Sequence, residues 1–216
     1  HPVPPSFAAE QIAAVLGDIG ADAVKIGMLY SAELIEVVAG ELKRFDVARI
    51  ILDPVMVAQS GDKLLQDDAI QALKECLMPL ADVVTPNIPE AEVLTGRHIA
   101  GLEEMRAAVK SLAVYGSRSI LLKGGHLQDN ICTDWLYLAD DDRLVSMDAP
   151  RIDSRNNHGT GCTLSSAIAG YRAKGFAIEE AVRLAKTFIQ NAIQAGAQYT
   201  IGKGHGPVHH FFEFWQ

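Results

Sequence analysis

The sequence predicts an α/β fold: a mostly parallel central sheet with helices on both faces, closed in its C-terminal half by an antiparallel hairpin at the sheet edge. Three observations point there. Apolar runs of four or five residues, such as RIIL and SILL, alternate with amphipathic helical stripes, as in sheets buried on both faces. Each run ends in a polar or glycine-rich turn, where open α/β sheets bind their ligands. Late in the chain, TDWLYLA and RLVSMDA alternate in polarity around an acidic ADDD turn, the pattern of a hairpin. No repeat, low-complexity tract or linker interrupts the series, so a single domain over residues 1–216 is expected.

In order, a helix starts after Pro4 and Pro5, with Ser6 as N-cap, on the stripe Phe7, Ile12, Val15, Leu16 and Ile19, and ends at Gly17 or Gly20. Ala23 to Ile26 makes a short strand. Leu34, Ile35, Val37, Val38 and Leu42 mark the next helix, and RIILDPV is a strand buried on both faces that stops at Pro54. A helix from Asp67 or Asp68 to about Leu77 precedes the strand-like ADVVTP. A short helix after Pro89, a helix from Leu102 to about Tyr115 and the strand SILLK follow. After the hairpin come two long helices, one from near Thr160 and one from about Ile178 to Ala195.

Composition narrows the partners. With 19 basic and 27 acidic side chains the net charge is −8, which opposes phosphate backbones and anionic membranes alike. A small-molecule partner is expected, not nucleic acid or membrane. No apolar run approaches the ~18 residues of a membrane span, and HPVPPSFAAE has neither region of a signal peptide, so a cytoplasmic location is expected. Cys76, Cys132 and Cys162 fit neither a disulfide framework nor a metal knuckle, and the first two are expected to be buried thiols. His205, His209 and His210 cluster near the C-terminus, but Gly206 and Pro207 break the helix that would align them, and no cysteine or carboxylate completes a metal set. The terminal FFEFW is expected to pack on the domain or on a second subunit, as in a homodimer.

The turns after the strands carry the chemistry. In HGTGCT, glycines precede a helical stripe of Leu164, Ile168 and Tyr171, so the backbone can approach a ligand and the first-turn N–H groups can face an anion such as phosphate. An ordinary tight turn into a helix is the plainer alternative. Leu164 stands where a GxGxxG fingerprint needs its third glycine, and no GK[ST] follows for a Walker A loop. Cys162 lies inside this turn, where the helix dipole favours a thiolate that could accept a proton or orient a hydroxyl; otherwise it is a small packing residue. Asp53 and Glu90 each follow a strand, with Asn87 three residues before Glu90. Together they would hold Mg²⁺ through waters while it bridges nucleotide phosphates. Read singly, Asp53 is a turn former and Asn87 with Glu90 a helix cap. Lys123, before a glycine pair, would be a phosphate cation.

Taken in order, VKIGML, DPVM with SGD after it, TPNIPEAEVLTG, LKGGH, APRI followed by NNHGTGC, and the closing GHGPV resemble the hydroxymethylpyrimidine/phosphomethylpyrimidine kinases of thiamine biosynthesis, in the ribokinase superfamily. The resemblance implies a ribokinase-like fold and transfer of the ATP γ-phosphoryl, first to the hydroxymethyl group of the pyrimidine and then to the resulting monophosphate. It implies an anion hole at Gly159, Thr160 and Gly161, with Cys162 where ribokinase relatives carry an aspartate base. Asn87 and Glu90 match the motif that positions Mg²⁺ and phosphates, Lys123 lies in the nucleotide region, and Met28 and Val55 correspond to pyrimidine contacts. Asn157 replaces a threonine common in the family, and either type can donate a hydrogen bond. The family's opening strand, its GSDSSGGAG-type segment and a pyrimidine-holding glutamine have no counterpart, so the domain is expected to be N-terminally incomplete by at least one βαβ unit, roughly 30 residues. Pyridoxal kinase of the same superfamily, and a truncated chain that binds nucleotide without turnover, are the alternatives.

Overall fold

The computed structural model describes residues 1–56, 65–125, 127 and 130–215. Ser60 to Asp62 of the SGD segment and His126 lie outside the described residues.

Six strands form one sheet in chain order: β1 (Val24–Ile26), β2 (Ile50–Leu52), β3 (Val83–Val84), β4 (Ser119–Leu122), β5 (Ile131–Leu138) and β6 (Arg143–Pro150). β1 to β4 are parallel, with Lys25 beside Ile51, Ile51 beside Val83 and Val84 beside Ile120. β5 runs antiparallel to β4 and β6 antiparallel to β5, so the expected hairpin closes one edge.

The pleat sorts each strand between two cores. Ile50, Leu52, Val84, Ile120 and Leu122 face α2 (Ala32–Arg44), α3 (Asp67–Ala72), α4 (Ile88–Thr95) and α5 (Leu102–Leu112). Ile51, Val83 and Leu121 face α6 (Thr160–Ala173) and α7 (Ile178–Gly196). α3 runs on through a π-helical turn, Leu73–Leu77, and a 3₁₀ turn, Met78–Leu80; Pro79 has no N–H to continue a helix.

Two expectations change at the ends. The first helix, α1 (Pro5–Asp18), has Pro4 rather than Ser6 at its N-cap and no side-chain cap, because proline's fixed φ and missing N–H already suit the first turn. Ile12 and Leu16 pack on the core, while Phe7, Val15 and Ile19 stay exposed. At the C-terminus Phe212 packs on Phe188, with ring centroids 5.4 Å apart, but Phe211, Phe214 and Trp215 are exposed. Cys76 and Cys132 are half-buried free thiols.

Two polar anchors set α6 on the sheet. Near its C-terminal end Arg172 donates from Nε and Nη2 to Asp82 Oδ2, at 3.1 and 2.6 Å, beside the start of β3. Near its N-terminal end Ser165 reaches Asp53, just past β2. The helix therefore runs opposite to the parallel strands and delivers its N-terminus to their carboxyl ends.

Candidate active site

Four turns meet at that edge. Asp53 is buried, and its carboxylate ties them together. Oδ1 accepts from Lys123 Nζ at 3.0 Å and from Thr85 Oγ1 at 3.1 Å; Oδ2 lies 3.2 Å from Ser165 Oγ and 3.9 Å from Lys25 Nζ. Ser165 also has the carbonyls of Gly161 and Cys162 within reach, and its single proton favours the charged acceptor. Lys123, held by its amide to Pro86 O at 2.9 Å, projects its ammonium to 3.2 Å from where a Cβ on Gly161 would stand.

Gly159 caps α6 at φ 82°, a left-handed conformation that only glycine adopts cheaply. The first bond that closes the helix runs from Thr163 N to Gly159 O at 2.8 Å, so the amides of Thr160, Gly161 and Cys162 belong to the turn with no intrahelical partner. Thr160 Oγ1 donates back to Asn157 O at 2.7 Å. The turn is held from behind. Buried Asn156 donates from Nδ2 to Gly196 O at 2.6 Å and Tyr199 O at 2.7 Å, and His158 N donates to Gly206 O at 3.0 Å. A Cβ on Gly206 would stand 1.9 Å from Asn156 Oδ1, so the closing GHGP strap can lie there only as glycine. Cys162 is exposed and lines a cleft of about 620 Å³ along α6 with His158, Thr163, Tyr171 and His210.

Asn87 and Glu90 form a capping box at the start of α4: Glu90 N donates to Asn87 Oδ1 at 2.9 Å and Asn87 N to Glu90 Oε2 at 2.7 Å. Glu90 is 3% exposed. Burial pushes its carboxyl up to about 7 and Asp53 adds to the rise, against the opposing pull of Lys123 and the amides of Asn87 and Met56.

A half-buried lysine beside a glycine-capped helix N-terminus, with an exposed thiol in the same turn, suits a phosphate-handling site. A family model described as phosphomethylpyrimidine kinase matches residues 1–209. The chain belongs to that family.

It is 50% identical over 207 residues to the hydroxymethylpyrimidine/phosphomethylpyrimidine kinase of Rhizobium meliloti, covering 95% of this chain and 77% of the relative. Against the enzyme of the same name from Salmonella typhimurium it is 41% identical over 214 residues, 99% of this chain and 80% of the relative. The phosphomethylpyrimidine kinase structure from Clostridium difficile superposes with a TM-score of 0.77 at 37% identity, covering 89% of this chain and 78% of that one. An ADP complex of Bacillus subtilis pyridoxal kinase gives a TM-score of 0.90 at 33% identity, covering 98% and 79%.

Mg²⁺ is the ion that a phosphomethylpyrimidine kinase implies, and the two carboxylates expected to hold it do not fit it in this arrangement. Both Asp53 oxygens are already occupied by hydroxyls and ammonium groups, with two lysines offsetting its charge. Glu90 is buried in the capping box, so the helix-cap alternative is the one realised for the Asn87 pair. Among the described residues no three His, Cys, Asp or Glu side chains come together as a metal site.

The structure brings together Asp53, Glu90, Asn87, Lys123 and the turn from Gly159 to Cys162. Met28 and Val55 follow β1 and β2 at the same edge, Met28 exposed and Val55 half-buried. Lys25, Thr85 and Ser165 escaped the sequence reading as partners of Asp53. Thr85 is visible as a polar residue just after a strand and Lys25 as a charge in the middle of one, whereas Ser165 sits within a helix and gives no local signal.

Proposed function

We propose that the chain is a phosphotransferase of thiamine biosynthesis that uses ATP. It phosphorylates the hydroxymethyl group of 4-amino-5-hydroxymethyl-2-methylpyrimidine and then the monophosphate so formed. The observation that carries this reading is the Lys123 ammonium beside Gly161, at a helix N-terminus with the exposed Cys162 thiol in the same turn.

The substrate alcohol oxygen attacks the γ-phosphorus, the bond to the β–γ bridging oxygen breaks, and ADP leaves. The amides of Gly161 and Cys162, with the α6 dipole, stabilise charge on the transferring group's oxygens. Lys123 neutralises the ATP phosphates, and Asp53 holds its ammonium in place. Cys162 orients the alcohol and receives or relays its proton. Met28 and Val55 offer apolar contacts to the pyrimidine ring. Mg²⁺ would arrive with the ATP phosphates, whose charge it offsets, rather than reside on the protein's own carboxylates. A cytoplasmic location and a homodimer go with this reading; light scattering on the purified protein tests the second.

Pyridoxal kinase is the second reading, favoured by the TM-score of 0.90 to such an enzyme. A panel of the pyrimidine alcohol, its monophosphate and pyridoxal, with ADP release coupled to mass detection of product, separates the two. A higher kcat/KM for pyridoxal would replace the first reading. ATP binding with no ADP release on any substrate would make the chain a nucleotide-binding protein without turnover.

A further inference from the structure

Outside the residues already given roles, one buried ion pair leads directly into the nucleotide turn. Lys186 on α7 spends its three N–H donors on Asp134 Oδ2 at 2.6 Å, Met147 O at 2.6 Å and Cys132 O at 3.1 Å, which ties the helix to both strands of the hairpin. Asp134, buried on β5, turns its other oxygen to the amide of Gly124 at 2.8 Å. Gly124 directly follows Lys123. It lies so close to β5 that a Cβ on it would stand 1.9 Å from Thr133 O, so the turn cannot shift towards the strand. On the next residue Arg151 of the loop after β6 donates to Gly125 O at 3.2 and 3.3 Å and also to Leu127 O.

The geometry points to Lys186 and Asp134 as positioning residues for ATP: through the Gly124 amide they fix the peptide after Lys123, and with it the direction in which the Lys123 ammonium enters the site. This inference rests on the reading of Lys123 as a nucleotide cation. A clamp meant only to join α7 to the hairpin could be apolar, since packed hydrophobic residues often replace a buried ion pair at no loss of stability. What an apolar pair cannot supply is an acceptor for the Gly124 N–H.

Two double variants of the full chain isolate that acceptor. In Asp134→Asn with Lys186→Met the charges go but an amide oxygen remains for Gly124. In Asp134→Leu with Lys186→Met the acceptor goes too. The expected result is a KM for ATP near wild type in the first and raised about tenfold in the second, the worth of one well-placed hydrogen bond. The kcat at saturating ATP and the KM for the pyrimidine should stay within about threefold in both. A second variant whose melting temperature falls while its KM for ATP stays at the wild-type value would overturn the proposal, because the pair would then be structural. Should that variant not fold, Asp134→Ser, too short to reach Gly124, must show the raised KM; an unchanged value, or loss of the fold there as well, also overturns it. Lys123→Met separates the two levels. If it leaves the KM for ATP unchanged, the nucleotide role of Lys123 itself has failed. If it raises the KM while the Asp134 variants do not, only the positioning role has failed.

Discussion

Replacing Glu90 with glutamine should flatten the pH dependence of folding stability between acid and neutral conditions. The Glu90 carboxyl sits at about 7 in the folded chain against an ordinary 4.5, chiefly because burial disfavours its charge. Between those two values the folded state keeps a proton that the unfolded state has released. The stability contributed by this proton is therefore full below 4.5 and is lost as the pH rises through 7. From about pH 5.5 to about pH 8 the loss comes to about 2 kcal/mol by linkage, one carboxyl moved by the stated amount. Glutamine keeps an oxygen for the Asn87 or Met56 amide and has no proton to lose. Urea unfolding of both proteins across that range measures the difference, with the midpoint and slope fitted at each pH. Wild type should lose about 2 kcal/mol more than Glu90→Gln on going to the higher pH. Parallel curves, within about 0.5 kcal/mol, would refute the assignment of burial as the dominant influence on this group.

Cys162→Ala should lower kcat by roughly 10²-fold with little change in the KM for ATP, because a group that orients or deprotonates the alcohol acts mainly in the transition state. Cys76→Ala is the control and should keep its turnover; equal activity in both would reduce Cys162 to a packing residue. Asp53→Asn leaves Lys25 and Lys123 without their anion, and should cost about 3 kcal/mol in urea unfolding and raise the KM for ATP. A variant as stable as wild type would mean that solvent, not Asp53, balances the two lysines. Gly206→Ala drives a Cβ against the Asn156 amide, so it should destabilise by about 1–3 kcal/mol and lower kcat by loosening the turn before Gly159. An unchanged melting temperature would show that the strap yields without disturbing Asn156.

Much of this was legible in the residues, because the relevant signals are local. Burial on both faces makes strands such as RIIL and SILL read as continuous apolar runs, and the parallel order of β1 to β4 follows from the helices between them. The turns holding Asp53, Asn87, Lys123 and Gly159 could be found because each follows a strand or opens a helix. Ser6 misled because a hydroxyl is a good cap, yet a proline already suited to the first turn stands next to it.

Local sequence carried the fold class, the order of the elements and the turns at the carboxyl ends of the strands, and the motifs in their order carried the family. The fold class and the turns follow from periodicity and from short runs of residues whose backbone requirements are intrinsic, and the family from the resemblance that the motifs carry together. Tertiary structure alone decided how the charges are shared. Asp53 and Lys123 are 70 residues apart and Asp53 and Ser165 are 112 apart, and only the stacking of β1 to β4 under α6 brings them into contact. That contact makes Asp53, expected as a metal carboxylate, the ion-pair partner of Lys123 and Lys25. In the same way Lys186 and Asp134, 52 residues apart, look like ordinary surface charges in the sequence. Burial converts them into a directed pair, because a charge taken out of water must be met by partners that the fold, and not the local sequence, supplies.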